Sequence, residues 1–254
     1  MLNKLIIPVL IFFTQKNQID LEANKKYIEM LNESDIKSII LLGTTSEGVL
    51  ISLEQKIEII TLYSTFLNSD IRIFLTPSVW AIDDFKKLMN MNDSIVDILF
   101  LPSSYFNRGE FELMKYMHKL FDGTNKNIYL YHLPKNTMVN FSKMMIKEMI
   151  ATGLNIKGIK LSHSSLDEIK NFKGIDNFDI LYGSDSNIDS AIQNGSDYVV
   201  CQNLSGSINA LDSNNFQDIA NGIRHQIKNT ALSKISFLKT VLNNQFNLFN
   251  TKVL

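Results

Sequence analysis

Eight short apolar runs, evenly spaced and separated by stretches of helical periodicity, constrain this chain more than any other feature. They cover residues 5–13, 38–42, 71–76, 97–101, 127–133, 156–161, 178–182 and 198–202. Each is near-continuously hydrophobic rather than alternating, the pattern of parallel strands buried on both faces. Between the first two runs, residues 20–31 set Leu21, Ala23, Tyr27, Ile28 and Leu31 largely along one helical face. Residues 52–66 open with Ser52-Leu53-Glu54-Gln55, a capping box in which Ser52 and Gln55 satisfy free amides of the first turn. Residues 83–91, 109–121, 142–149, 165–171 and 187–193 are the remaining inter-strand helices, and 214–227 and 232–249 predict two more after the last strand. Strict alternation of strand and helix predicts parallel βαβ units. Eight of them fit a closed α/β barrel, the (β/α)8 TIM barrel; an open doubly wound sheet of eight strands is the alternative.

The length of 254 residues is the usual size of such a barrel, about 250. With no long linker or low-complexity tract, one domain is expected over 1–254, with a barrel core in 1–212 and a short C-terminal helical extension in 213–254. At 45% apolar and 20% charged residues the chain can bury a full core. Its formal charge of −1 provides no field that would draw it to nucleic acid or an anionic membrane, so neither is expected as a partner. The single cysteine, Cys201, cannot form an internal disulfide or a thiolate metal cluster, in keeping with a reducing compartment. The first apolar run is far shorter than the roughly 20 residues a membrane span needs. It continues into Gln15-Lys16-Asn17-Gln18 with no small-residue cleavage site, so it reads as a first strand and the protein as cytoplasmic.

In a barrel of this kind, functional residues sit at the C-terminal ends of strands and in the loops that follow. Those positions hold Gly43-Thr44-Thr45-Ser46-Glu47-Gly48 after run 2 and Pro102 to Arg108 after run 4. They also hold Tyr131-His132-Leu133-Pro134 at the end of run 5, Lys160 in run 6 and Gly183-Ser184-Asp185 after run 7. Lys160 lies in Ile156-Lys157-Gly158-Ile159-Lys160-Leu161, a segment expected to be buried. Burial disfavours an ammonium and makes a neutral amine available to attack a ketone. The competing explanation is a lysine that snorkels to solvent at the strand end. Lys157, on the opposite pleat and nearer the strand entry, is the weaker candidate. Tyr131 is either core packing with a satisfied hydroxyl or a proton carrier beside that amine. Gly43-Thr44-Thr45 either caps a strand-to-helix turn or aims amides and hydroxyls at a carboxylate. The histidines at 118, 132, 163 and 225 show no metal-ligand spacing, and no Walker or dinucleotide glycine fingerprint is present.

At these positions the chain resembles the family of dihydrodipicolinate synthase and N-acetylneuraminate lyase. Four segments match in family order: Gly43-Thr44-Thr45-Ser46-Glu47 resembles G-T-T-G-E, Tyr131-His132-Leu133-Pro134 resembles Y-N-x-P, Gly158-Ile159-Lys160 resembles G-[IV]-K, and Gly183-Ser184-Asp185 resembles G-x-D. The resemblance implies a barrel enzyme that forms a Schiff base with pyruvate or another 2-keto acid, with Lys160 as nucleophile, Tyr131 as proton carrier helped by Thr45, and no metal or other cofactor. It further implies that Pro8, Thr44 and Thr45 meet the keto acid, and that Gly183, Ser184, Asp185 and Gln202 meet the tail of the substrate.

Dihydrodipicolinate synthases carry an arginine two residues beyond the Y-N-x-P proline, where this chain has Asn136. The sequence is in this respect more similar to archaeal 2-keto-3-deoxygluconate aldolases of the Entner–Doudoroff route. Their Y-Y-Y-P-R segment falls on Ser104-Tyr105-Phe106-Asn107-Arg108, so the resemblance implies that Tyr105 assists catalysis in a neighbouring subunit's site and that the protein is a homotetramer, a dimer of dimers, with a dimer as the alternative. Arg108 is the arginine within reach of a substrate phosphate, but Leu133 stands where phosphate-accepting relatives offer a tyrosine hydroxyl, which favours the non-phosphorylated substrate. Ser46, His132 and Ile11-Phe12 depart from the family pattern. The expected reaction is cleavage of 2-keto-3-deoxygluconate to pyruvate and glyceraldehyde. The rivals are another pyruvate-imine enzyme of the family and a non-catalytic barrel that binds a 2-keto acid.

Overall fold

The computed structural model describes residues 2–104, 109–162, 165–208, 216–246 and 253–254. Its strands are β1 (Leu5–Pro8), β2 (Ser38–Leu41), β3 (Arg72–Leu75), β4 (Asp97–Phe100), β5 (Asn127–His132), β6 (Ile156–Leu161), β7 (Asp179–Tyr182) and β8 (Tyr198–Val200). They pair in parallel in sequence order, and β8 returns to β1 to close the barrel. The open sheet is thereby excluded.

The helices follow the strands: α1 (Leu21–Glu33), α2 (Leu53–Phe66), α3 (Ile82–Met89), α4 (Glu110–Phe121), the single turn α5 (Pro134–Thr137), α6 (Lys143–Ala151), α7 (Ile169–Phe172) and α8 (Ile188–Gln193). The extension consists of α9 (Phe216–Lys228) and α10 (Lys234–Phe246). No helix of the described residues is long and apolar enough to cross a membrane. The capping box at α2 forms as read: Gln55 N–H donates to Ser52 Oγ at 3.2 Å, and Ser52 N–H donates to Gln55 Oε1 at 3.0 Å. Such a cap contributes about 1 kcal/mol.

The apolar residues divide into two packed sets. Ile6, Ile40, Phe74, Leu99, Tyr129, Tyr131, Leu181 and Val200 fill the barrel interior. A larger set joins the outer strand faces to the helices, including Ile39, Ile59, Leu88, Met117, Ile146 and Ile159. That two-sided burial is why the strands read as continuous rather than alternating.

Two local departures shape the site. The first apolar run leaves the sheet after Pro8, though Val9 to Phe13 remain buried. Asn24 of α1 takes over the hydrogen bonding there, accepting from Phe12 N–H at 3.2 Å and donating to Phe12 O at 2.9 Å. In β6 the pairing shifts between Ile128↔Ile156 and Tyr129↔Gly158, so Lys157 is the extra residue of a bulge. The bulge puts Gly158 opposite Tyr129 and Lys160 opposite Tyr131. A Cβ on Gly158 would lie 2.7 Å from the Tyr129 ring and 2.5 Å from Asp179 O, so only glycine fits there.

Candidate active site

Lys160 and Tyr131 are lateral neighbours on β6 and β5, and both face the barrel interior. The Lys160 ammonium nitrogen lies 3.8 Å from the centre of the Tyr131 ring. Both side chains are deeply buried, at 6% and 3% exposure. The Tyr131 hydroxyl is 3.3 Å from Thr44 Oγ1, and Ser162 also hydrogen-bonds it. Burial works against ionising that hydroxyl. The adjacent Lys160 charge and the hydrogen bonds from Lys160, Thr44 and Ser162 outweigh it, and hold the phenol below its ordinary value.

These groups open into a cavity of about 480 Å³ at the C-terminal ends of the strands, a volume typical of small-ligand sites. Pro8, Thr44, Thr45, Gly183 and Gln202, all expected from the sequence to contact substrate, line it together with Tyr131 and Lys160. The turn after β2 is tightly built. Leu42 (φ 61°) and Glu47 (φ 57°) adopt left-handed backbone without being glycine, a conformation costing on the order of 1–3 kcal/mol each. Among the described residues the amides of Thr44 and Thr45 donate to no protein acceptor, while Ser46, Glu47 and Gly48 amides close the turn onto Gly43 O and Thr44 O. Two such amides beside two hydroxyls are a set of donors suited to an anion such as a carboxylate.

The turn is anchored from outside the barrel. Ser46 Oγ donates to Val9 O at 2.7 Å, which accounts for a hydroxyl where the family has glycine. Glu47, buried beneath the turn, accepts from Lys239 Nζ of α10 at 2.7 Å and from Leu254 N–H at 2.6 Å. With the Lys239–Glu47 pair at 0% and 2% exposure, loss of one partner would strand a buried charge. Gly183 is glycine because a Cβ there would meet Leu161 O and Ser162 Oγ at 2.6 Å, displacing the serine that serves Tyr131.

Other expectations are not met by position. Asp185 does not reach the cavity: its carboxylate accepts from Arg224 Nη2 and from Asn203 N–H, both at 2.6 Å, which ties α9 and the turn after β8 to β7. Ser184 points to Ser186 Oγ at 2.8 Å. The turn after β7 thus contributes Gly183 and not its two neighbours. Tyr105, Arg108 and His163 lie outside the described residues. Lys157 is carried away from the site by its bulge. His132, one residue past Tyr131, faces outward between Phe141 and Phe172, with ring centroids 6.2 Å from each.

Asn136, at the position of the synthases' arginine, lines the cavity, and so do Ser162, Ser233, Lys234, Ile235 and Val253, which residue order does not point to. Ser162 was detectable, since it lies two residues beyond Lys160 on the same pleat. The others come from the turn α5 and from the C-terminal extension, whose return across the barrel mouth no periodicity reveals.

The barrel thus buries an amine against a tyrosine ring in one cavity with two amides and two hydroxyls that an anion could engage. A model of the dihydrodipicolinate synthetase family matches residues 1–246, and the chain belongs to that family. It is 25% identical over 249 residues to the 2-dehydro-3-deoxy-phosphogluconate/2-dehydro-3-deoxy-6-phosphogalactonate aldolase of Sulfurisphaera tokodaii, covering 96% of this chain and 80% of that protein. It is 24% identical over 182 residues to a 4-hydroxy-tetrahydrodipicolinate synthase of Methanococcus vannielii, covering 71% of this chain and 63% of the relative. Among solved structures, a dihydrodipicolinic acid synthase family protein from E. coli K12 in complex with pyruvate superposes with a TM-score of 0.84 at 18% identity, covering 99% of this chain and 91% of that one. A Sulfolobus 2-keto-3-deoxygluconate aldolase in complex with D-KDPG superposes at 0.81 with 22% identity, covering 98% and 87%. Both structural likenesses establish the barrel fold.

Proposed function

We propose that the protein is a Schiff-base aldolase that cleaves 2-keto-3-deoxygluconate to pyruvate and glyceraldehyde, as in an Entner–Doudoroff-type route. The observation that carries this reading is the Lys160 amine 3.8 Å over the Tyr131 ring, inside a cavity that also holds the Thr44–Thr45 cradle. Lys160 attacks the C2 ketone, and loss of water leaves an iminium. Tyr131, as phenolate, takes the C4 hydroxyl proton; the C3–C4 bond breaks and its electron pair passes into the iminium to give an enamine. Glyceraldehyde leaves, C3 is reprotonated from Tyr131, and water hydrolyses the imine to free pyruvate and Lys160. Thr44 and Thr45 hold the C1 carboxylate throughout, while Gly183 and Gln202 border the sugar chain.

We extend the reading to an assembly of identical subunits, a dimer of dimers in which Tyr105 enters a neighbour's site. What supports association is the set of exposed apolar side chains Leu50, Trp80, Phe111 and Met138, all on segments at the same end of the barrel as the cavity.

The reading is tested by incubating the protein with 2-keto-3-deoxygluconate and detecting pyruvate with lactate dehydrogenase. Pyruvate release that disappears in Lys160→Ala is the expected result. Release from N-acetylneuraminate but not from the sugar acid would move the assignment to another member of the family, and release from no keto acid would overturn the cleavage reading, leaving a synthase that consumes pyruvate or a binding barrel.

A further inference from the structure

Lys234, the first residue of α10, lines the same cavity as Lys160. Among the described lining residues these are the two cations. In the aldolase reading Lys160 is consumed by imine formation, which leaves Lys234 as the cavity's standing positive charge. Among the described residues it makes no ion pair and no hydrogen bond. The acidic group that acts on it, Asp185, is already held by Arg224 and by the Asn203 amide. Burial pushes the Lys234 amine below its ordinary value, Asp185 counteracts this and Arg224 adds to it. A half-buried ammonium that lacks a counter-ion is a cost to the fold, and an anion entering the cavity would offset it.

The position of Lys234 says which part of a substrate it would meet. Its electrostatic neighbours, Asp185 and Arg224, belong to the turn after β7 and to α9. The carboxylate cradle at Thr44 and Thr45 follows β2, elsewhere around the barrel mouth. With the C1 carboxylate at β2 and C2 on Lys160 of β6, the chain beyond C4 would extend past Gly183 and Gln202 of the β7 and β8 ends, the side on which the groups acting on Lys234 lie. The lining polar groups Asn136 and Gln202 are neutral. We infer that Lys234 receives a second negative group at the far end of the substrate, so that the preferred aldehyde half is anionic, carrying a phosphate or a carboxylate. This rests on the Schiff-base aldolase chemistry of Lys160 proposed above and revises its substrate: the neutral sugar acid becomes the poorer substrate and an anionic counterpart the better one. It also runs against the expectation drawn from Leu133, which does line the cavity but is not the residue that decides the charge there.

The test is condensation of pyruvate with three aldehydes: glyceraldehyde, glyceraldehyde 3-phosphate and succinic semialdehyde. The wild type is expected to use one anionic aldehyde with kcat/KM on the order of ten- to a hundredfold above glyceraldehyde, the range of a charge-assisted hydrogen bond. Lys234→Gln is expected to collapse that ratio toward unity through KM for the anionic aldehyde, and Lys234→Arg to retain most of it. A preference for glyceraldehyde 3-phosphate identifies a phosphate subsite, and one for the semialdehyde a carboxylate subsite. A wild type that favours the neutral aldehyde, or a ratio unmoved by Lys234→Gln, overturns the inference. Borohydride trapping with pyruvate alone separates the two levels. A trapped adduct without anionic preference defeats only the role of Lys234, whereas no adduct defeats the aldolase reading beneath it.

Discussion

Each end of the barrel interior holds a cation against aromatic rings, and the two are treated in opposite ways. At the N-terminal end Arg72 lies 4.4 Å from the Phe74 ring centre and is fully engaged. It donates to both oxygens of Asp97 at 2.6 and 3.0 Å, to Tyr129 Oη at 2.7 Å and to Tyr198 Oη at 3.2 Å. The Tyr129 hydroxyl donates to Asp179 at 2.7 Å, and Asn127 adds a donor to Asp97 at 2.9 Å. Burial and the neighbouring carboxylates hold the Tyr129 phenol well above its ordinary value, against the pull of Arg72. At the C-terminal end Lys160 faces Tyr131 with no carboxylate among the described residues bridged to it, and the phenol is held down rather than up. A polar network saturated by carboxylates fixes a structure; one left short of them retains an amine and a phenol free to exchange protons with a ligand.

The sharpest way to break this contrast is to remove the upper amine. Lys160→Ala should lose roughly 10⁴- to 10⁶-fold in kcat, the scale for deleting a nucleophile, while its melting temperature stays near that of the wild type. A large drop in melting temperature would make Lys160 a structural group like Arg72. Tyr131→Phe should lose about 10²- to 10⁴-fold, in line with the removal of a general acid–base. In the proposed mechanism the Tyr131 phenolate is the base, and its hydroxyl is held below the ordinary value of 10.0, so wild-type cleavage should rise with pH through an ionisation below that value. The limb should vanish in Tyr131→Phe, and a limb that persists would assign it to another group.

The lower end should respond in the opposite sense. Arg72 is 30% exposed but Asp97 only 2%, so Arg72→Met strands a buried carboxylate at a cost of about 2–4 kcal/mol. Urea unfolding should show that loss, while pyruvate still traps on Lys160. Equal stability in the variant would remove the structural role of the network. The smallest effect is expected at His132. Its buried ring is held below the ordinary 6.5, chiefly by desolvation and against the pull of Glu168. Between that lowered value and 6.5 the unfolded chain binds the proton more readily, so stability falls as pH drops through the window and is constant above it. Melting curves from pH 5 to 7.5 should show a shallower acid decline for His132→Asn than for the wild type.

Much of this was legible in residue order, for definite reasons. Parallel strands buried on both faces advertise themselves as apolar runs, so all eight were found. Their ends were less clear: the first run continues to Phe13 because packing, not pairing, keeps those residues apolar, and the sheet stops at Pro8. Ser52 and Gln55 act within one turn, and a local device can be read locally. Lys160, Tyr131 and Thr44 were legible as strand-end polar groups beside apolar runs. Asp185 was misplaced because its carboxylate answers Arg224, a partner 39 residues away that no spacing rule connects to it. Lys234 was missed for the same reason: its place over the cavity depends on the path of α9 and α10 across the barrel mouth. Long-range docking, rather than local pattern, decided both.

The central claim, that the unsaturated upper end makes Lys160 a nucleophile toward keto acids, is tested most directly by borohydride reduction in the presence of pyruvate, with intact mass and peptide mapping. A single reduced pyruvyl adduct on the peptide carrying Lys160, absent from Lys160→Ala, is the expected result. Absence of an adduct, or an adduct that persists in Lys160→Ala, would contradict it.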